Sequence, residues 1–202
     1  MCDIICLGES LMVNFYLDVP SLKWKDEIVD YVNELVMYKS DINGIETLTK
    51  IIDGYSFDDA LEYCLNLSDE TFSKSLAKPL VKTFLLIRKE DERVVGALNI
   101  RWNYPGTVTK FTGNIGYGIR PSERRKGYNK INLYLGLIEA HKIGLNHVKL
   151  VCEKDNIASV KTIESLGGKL EFSEIDPDDN ILTNVYSFDV LDTINKYKNN
   201  FN

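Results

Sequence analysis

Histidine is scarce. The 202-residue chain has two, His141 and His147. Its four cysteines are Cys2, Cys6, Cys64 and Cys152, and the close pair at 2 and 6 has no second pair at zinc-ligand spacing. A metal centre therefore has no ligand set, and the thiols read as those of a reduced, cytoplasmic chain. Positive charge is also in deficit. Lys and Arg total 24 against 30 Asp and Glu, for a net charge of -6. A nucleic-acid partner rewards the opposite balance. No apolar run approaches the ~20 residues a membrane span needs. Asp3 and Glu9 stand where a secretory signal would carry its basic start. Two phosphate motifs are missing as well: there is no G-x-x-x-x-G-K-[ST], and no G-x-G-x-x-G behind a strand.

What is present is the make-up of an ordinary folded domain. Hydrophobic residues are 44% and charged residues 27%, and a chain of this length can bury a core without staples. One domain over 1–202 is expected. Residues 11–17 are apolar enough for a strand. Trp24, Ile28, Tyr31, Val32, Leu35 and Val36 then recur at helical spacing, stopped by Asn43-Gly44. Ser56 is a fitting N-cap for a second helix with Phe57, Leu61, Cys64 and Leu65 inward.

The period then changes. Residues 83–88 and 94–102 read as a hairpin turning at Glu90-Asp91-Glu92. Residues 111–119 read as a third strand, in which Gly113, Gly116 and Gly118 suggest a bulge or a close approach by a ligand. A helix follows Pro121 and ends near Gly144, with Ile131, Leu133, Tyr134, Leu135, Leu137 and Ile138 apolar. Then come a strand at 147–152, a helix through Ile157, Val160, Ile163 and Leu166, and strands at 170–173 and 184–190. The polar tail at 193–202 reads as frayed. The alternation defines an α/β (α+β) domain around a mixed sheet.

Against the acidic background, Arg120, Arg124, Arg125 and Lys126 place four cations in seven residues, just before Gly127 at a strand-to-helix junction. Cations at a helix start are unfavourable by about 0.3–1 kcal/mol each. A bound anion would reverse that sign, because free N–H groups and the positive dipole end suit phosphate oxygens. The other reading is a solvated basic turn.

The stretch 115–128, Ile-Gly-Tyr-Gly-Ile-Arg-Pro-Ser-Glu-Arg-Arg-Lys-Gly-Tyr, resembles motif A of the GNAT acetyltransferases, a strand running into a [QR]-x-x-G-x-[GA] turn that opens a helix. Residues 148–168, with Cys152, Asn156, Ser159, Glu164 and Gly167-Gly168, resemble motif B. The hairpin with Val95-Gly96-Ala97 resembles the two strands before motif A, and the likeness is strongest over 83–171. The turn itself resembles a bacterial subgroup of predicted acetyltransferases.

The resemblance implies a mostly antiparallel, mixed central sheet with a splayed parallel strand pair, flanked by helices. Residues 1–80 would border the acceptor site and 83–190 would form the acetyl-CoA-binding core. It implies acetyl-CoA as co-substrate and no metal. Tyr117 and Ile119 would pair with the pantetheine arm, and the Tyr117 N–H would polarise the thioester carbonyl. Arg124, Arg125, Lys126, Gly127, Tyr128 and Asn129 would hold the pyrophosphate, and Asn156 and Ser159 would meet the arm from motif B. The acceptor would be a small-molecule or peptide amine, attacking directly in a ternary complex, and a homodimer is among the assemblies implied. The chain departs from the pattern in three places. Asn129 replaces the usual Gly or Ala. Ile163 stands where many members carry an acidic Tyr. Thr112-Gly113-Asn114 stands where many carry a strand Glu, leaving Asn114 to orient water or substrate. These departures keep open an acyl-CoA-holding module without turnover.

Overall fold

The computed structural model describes residues 14–106 and 108–201. Phe15–Asp18 (β1) leads through a 3-10 turn at Leu22–Trp24 into Lys25–Met37 (α1). Residues 11–13 of the expected first strand, and Cys2 and Cys6, lie outside the described residues. After a loop come Phe57–Asn66 (α2), capped by Ser56 accepting from Asp59 N, and Glu70–Ser75 (α3). The hairpin is Leu80–Arg88 (β2) and Arg93–Trp102 (β3). Next follow Ile115–Ile119 (β4), Tyr128–Ile143 (α4), His147–Glu153 (β5), Ile157–Ser165 (α5), Lys169–Ile175 (β6), Leu182–Asp189 (β7) and Val190–Tyr197 (α6).

Two antiparallel ladders result, β1-β2-β3-β4 and β5-β7-β6. β2 has partners on both edges and helices on both faces, so its central residues Phe84 to Ile87 are an unbroken apolar run. Alternation divides those residues between two cores. Leu85 and Ile87 join Ile28, Tyr31, Val32 and Leu35 under α1 and α2. Phe84 and Leu86 join Ile131, Leu133, Tyr134 and Leu137 under α4. α4 is therefore pressed between sheet and other helices, which explains its broad apolar face.

Three expectations need correction. The strand expected at 111–119 is regular only over Ile115–Ile119. Phe111 is instead buried edge-on against Phe172, with ring centroids 5.7 Å apart. Val36 and Leu65, expected inward, are exposed. The tail is ordered: Asp189 caps α6, and Phe201 stacks on Tyr134 at 4.3 Å. Seven residues of tail sequence looked polar because only one stripe of a short helix needs to be apolar.

Candidate active site

β4 is the inner edge of its sheet. Arg101 N donates to Asn114 O, and Arg120 N donates to Val95 O. In the observed register, Asn99↔Gly116 and Ala97↔Gly118 fall between these two bonded pairs. Antiparallel bonding alternates by two, so the N–H and C=O groups of Ile115, Tyr117 and Ile119 point away from β3, towards β5. No ladder joins β4 to β5. The two are clasped at one end only. Asn114 N donates to Lys149 O (2.7 Å), Lys149 N donates to Asn114 Oδ1 (2.8 Å), and Asn114 Nδ2 donates to Arg101 O (3.1 Å). Beyond this clasp the strands splay around a cleft of about 1330 Å³.

Asn114, singled out in the sequence, thus has both side-chain polar atoms engaged in holding strands together. That geometry makes it the hinge pin of the cleft, with neither atom turned to a reactant.

At the other end of β4 the chain turns into α4. Residue Arg125 takes φ +65° and Gly127 φ +80°, both left-handed. Among the described residues, the five successive N–H groups of Arg125 to Asn129 make no hydrogen bond. Five unpaired donors in a row at an exposed turn are left to water or to an anion. A Cβ on Gly127 would touch nothing within 4 Å, so the space over this turn is open.

The four cations divide into two kinds. Arg120 is 4% exposed and donates to Glu34 (Nε, 2.7 Å) and Glu27 (Nη1, 3.2 Å) of α1. Lys126 donates to Glu123 at 2.7 Å, and buried Glu123 also takes Arg88 at 2.9 Å. Arg124 and Arg125 are exposed and form no ion pair among the described residues. Arg124 Nε donates to Ile119 O at 3.1 Å, which fixes its guanidinium over the cleft mouth. The sequence cluster of four is therefore two free arginines and two cations already matched by carboxylates. Asn129 lines the same mouth, and its Oδ1 is buried without a partner.

The opposite wall is β5 and α5. Asn156 caps α5 by accepting from Ser159 N at 3.1 Å. The Tyr117 phenol crosses the gap from β4 to bond Ser159 Oγ at 3.1 Å. Burial pushes that phenol well above its ordinary pKa, against a smaller lowering from Ser159. Burial, with Glu153 and Glu164 nearby, pushes the Cys152 thiol up to about 11, which makes it a poor nucleophile near neutrality. Ile163 is 1% exposed and packs in the core, against Gly168.

Sequence reasoning missed the far side of β4. A Cβ on Gly116 would lie 2.8 Å from Arg101 Nη2, 3.2 Å from Asn99 Oδ1 and 3.5 Å from Glu46 Oε1. A Cβ on Gly118 would lie 2.7 Å from Asn43 O and 3.5 Å from the Tyr31 hydroxyl. The two glycines let the loop after α1 close down on the strand. One signal was available. Asn99 and Arg101 are polar residues two apart in an apolar strand, hence on one face.

A splayed strand pair, an unpaired backbone edge between them, and a helix start suited to an anion make a cleft fit for an extended ligand with an anionic end. The pattern of the acetyltransferase (GNAT) family matches residues 47–167. The protein belongs to that family and is an acyltransferase. Solved structures share the fold. RimL, a ribosomal L7/L12 alpha-N-protein acetyltransferase in complex with coenzyme A, superposes with a TM-score of 0.60 at 12% identity, over 88% of this chain and 95% of that one. The ribosomal-protein-S5-alanine acetyltransferase from Vibrio fischeri gives 0.61 at 12%, over 87% and 92%. The microcin C7 self-immunity acetyltransferase MccE, in complex with acetyl-CoA and AMP, gives 0.57 at 17%, over 87% and 92%. No curated protein matches the sequence.

Proposed function

We propose that the protein transfers an acetyl group from acetyl-CoA to a primary amine. The single observation that carries this reading is the run of five unbonded N–H groups, Arg125 to Asn129, at the end of a strand whose outer edge pairs with no other strand. The turn suits the pyrophosphate: backbone donors and the dipole end of α4, with Arg124 and Arg125 adding charge-assisted bonds. Lys126 and Tyr128 border the turn, and an Asn129 rotated to offer its amide N–H₂ becomes one more donor. The N–H and C=O of Tyr117 and the N–H of Ile119 suit an amide-bearing arm, as an added strand would be held. Asn156 and Ser159 face it from α5.

The reaction needs one bond made and one broken. The amine nitrogen attacks the thioester carbonyl carbon, the C–S bond breaks, one proton leaves nitrogen and one reaches sulfur. The Tyr117 N–H supports the developing oxyanion. The Tyr117 phenol, held neutral by burial, donates a hydrogen bond towards the leaving sulfur, a role for which Ile163 has no group. The acceptor is a small molecule or a peptide.

Calorimetry with coenzyme A, followed by thiol release from acetyl-CoA over a panel of amines and peptides, tests the reading. Binding and amine-dependent release are expected. A second reading, acyl-CoA held without turnover, draws on the burial of Ile163 and on the engaged Asn114. Tight binding with no release by any amine would select it.

A further inference from the structure

The loop between α1 and α2 brings a carboxylate to a place where the strand itself has none. Glu46 Oε1 stands 3.5 Å from where a Cβ on Gly116 would be. A carboxylate rooted in β4 at that position would occupy the same space. Glu46 is held there by Asn99 Nδ2, which donates to its other oxygen. Two further polar atoms at this floor have no partner. Asn99 is 3% exposed and its Oδ1 is unbonded, and Tyr31 is fully buried with an unbonded hydroxyl. Both sit within 3.5 Å of the Cβ positions at Gly116 and Gly118. Buried polar atoms left unmatched cost about 1–3 kcal/mol each, so two of them along one face of β4, Asn99 Oδ1 at Gly116 and the Tyr31 hydroxyl at Gly118, mark a face suited to a polar visitor. All three free atoms can accept: a carboxylate oxygen, an amide oxygen and a phenol oxygen. A primary ammonium presents three N–H donors and matches them in number.

We propose that Glu46 receives the acceptor's ammonium group on the glycine face of β4 and takes its proton, with Asn99 Oδ1 and the Tyr31 hydroxyl as companion acceptors. The assignment rests on the acetyl-transfer reading above. Gly116 and Gly118 of this face line the same cleft as Tyr117, so a nitrogen held here stands beside the β4 edge where the thioester would lie. One proton passes from the ammonium to a Glu46 oxygen and on to solvent; the freed lone pair makes the N–C bond as the C–S bond breaks, and a second N–H proton ends on the departing sulfur. The charged groups around the floor are Arg101 from β3, Arg120 and Arg124 from the turn after β4, and Glu34 from α1.

Glu46→Gln separates charge from scaffold, because the amide oxygen can still accept from Asn99. In protein carrying ¹³C-glutamate and saturated with coenzyme A, the Glu46 carboxyl signal is identified by its absence from Glu46→Gln. Titration with n-butylammonium chloride should move that signal, and Tyr31→Phe should weaken the response. With the best amine of the panel, Glu46→Gln should lower kcat/KM by about 10²-fold and remove the acidic limb of its pH profile, while affinity for coenzyme A and melting temperature stay unchanged. An unmoved carboxyl signal, or a Glu46→Gln protein with wild-type kcat/KM and pH profile, overturns the assignment. Failure to bind coenzyme A at all would overturn the transfer reading instead, so the two failures are distinct.

Discussion

At the scale of single residues, the cleft depends on what two side chains do and what one lacks. The Tyr117 phenol reaches across the gap to Ser159. Removing a donor aimed at developing charge costs about 10²–10³ in kcat. Tyr117→Phe keeps the ring and its packing, so kcat should fall by about 10²-fold while the dissociation constant of coenzyme A holds, as steady-state kinetics beside calorimetry would show. A proportional loss of cofactor affinity would assign the phenol to binding instead. Gly127 is needed for a different reason. It sits at φ +80° with open space above it. Gly127→Ala forces a left-handed alanine, which costs roughly 1–2 kcal/mol, and puts a methyl group where a phosphate would approach. A modest drop in melting temperature with at least a tenfold loss of coenzyme A affinity is expected. The reverse pattern, lost stability with affinity intact, would move the anion elsewhere.

At the scale of elements, α1 is tied to the turn after β4 by the buried Arg120. Burial alone would raise the Glu34 carboxyl, but hydrogen bonds from Arg120 and Ser122 outweigh it and the net shift is downward. Glu123 is lowered in the same way by Lys126 and Arg88, again against burial. A carboxyl lowered in the folded state stabilises it fully above the unfolded value, ~4.3 for Glu. That contribution is lost as pH falls through the lower folded value. Melting temperature should therefore drop steeply below about pH 4.3. Glu34→Gln should melt lower at pH 7 but lose less on acidification. Parallel curves for wild type and variant would show that the pair contributes nothing through its charge. Arg120→Ala leaves two carboxylates facing a void and should cost about 3–5 kcal/mol.

These same elements show what the sequence could reveal. Apart from the short helices α3 and α6, the order of strands and helices was legible because each carried its own period, and the turn at 120–129 stood out because its charge opposed the rest of the chain. The division of its four cations was not legible. Arg120 finds Glu34 across 86 positions of sequence, and nothing local separates it from Arg124. Glu46 was invisible for the same reason. Its meeting with Gly116 depends on the path of a loop with no regular period, and only the polar pair Asn99 and Arg101 hinted that this face was occupied. Ile163 was read as a departure from a pattern. Its burial supplies the physical content: the position faces the core, so no acid there could reach the cleft without turning α5.

At the scale of the whole molecule, two antiparallel sheets meet along a seam that is stitched at one end, by Asn114 and Lys149, and open along the rest. A ligand lying in that seam would bind the folded state alone. At a hundred times its dissociation constant, it should add about 2.7 kcal/mol to stability. Hydrogen exchange gives the local version of the same forecast. The N–H groups of Ile115 and Tyr117 should exchange faster than those of β2 and β3 in the free protein, and slow when coenzyme A is added. Equal protection in both states would mean that the seam is already closed.

The unstitched seam also bears on how the chain behaves in company. An unpaired strand edge invites other strands to add to it, and proteins usually blunt such edges with charge, proline or a covering loop. Here two bare edges face each other across a gap too wide for them to join, and each guards the other from a foreign strand. The guard holds only while α4 keeps both sheets in register. A variant that loosens α4, or a nascent chain in which β5 to β7 have yet to emerge, would expose β4 as a sticky edge. Aggregation of such species should begin at residues 115–119, and a small pantetheine-like molecule would act there as a folding aid before it ever served as a substrate.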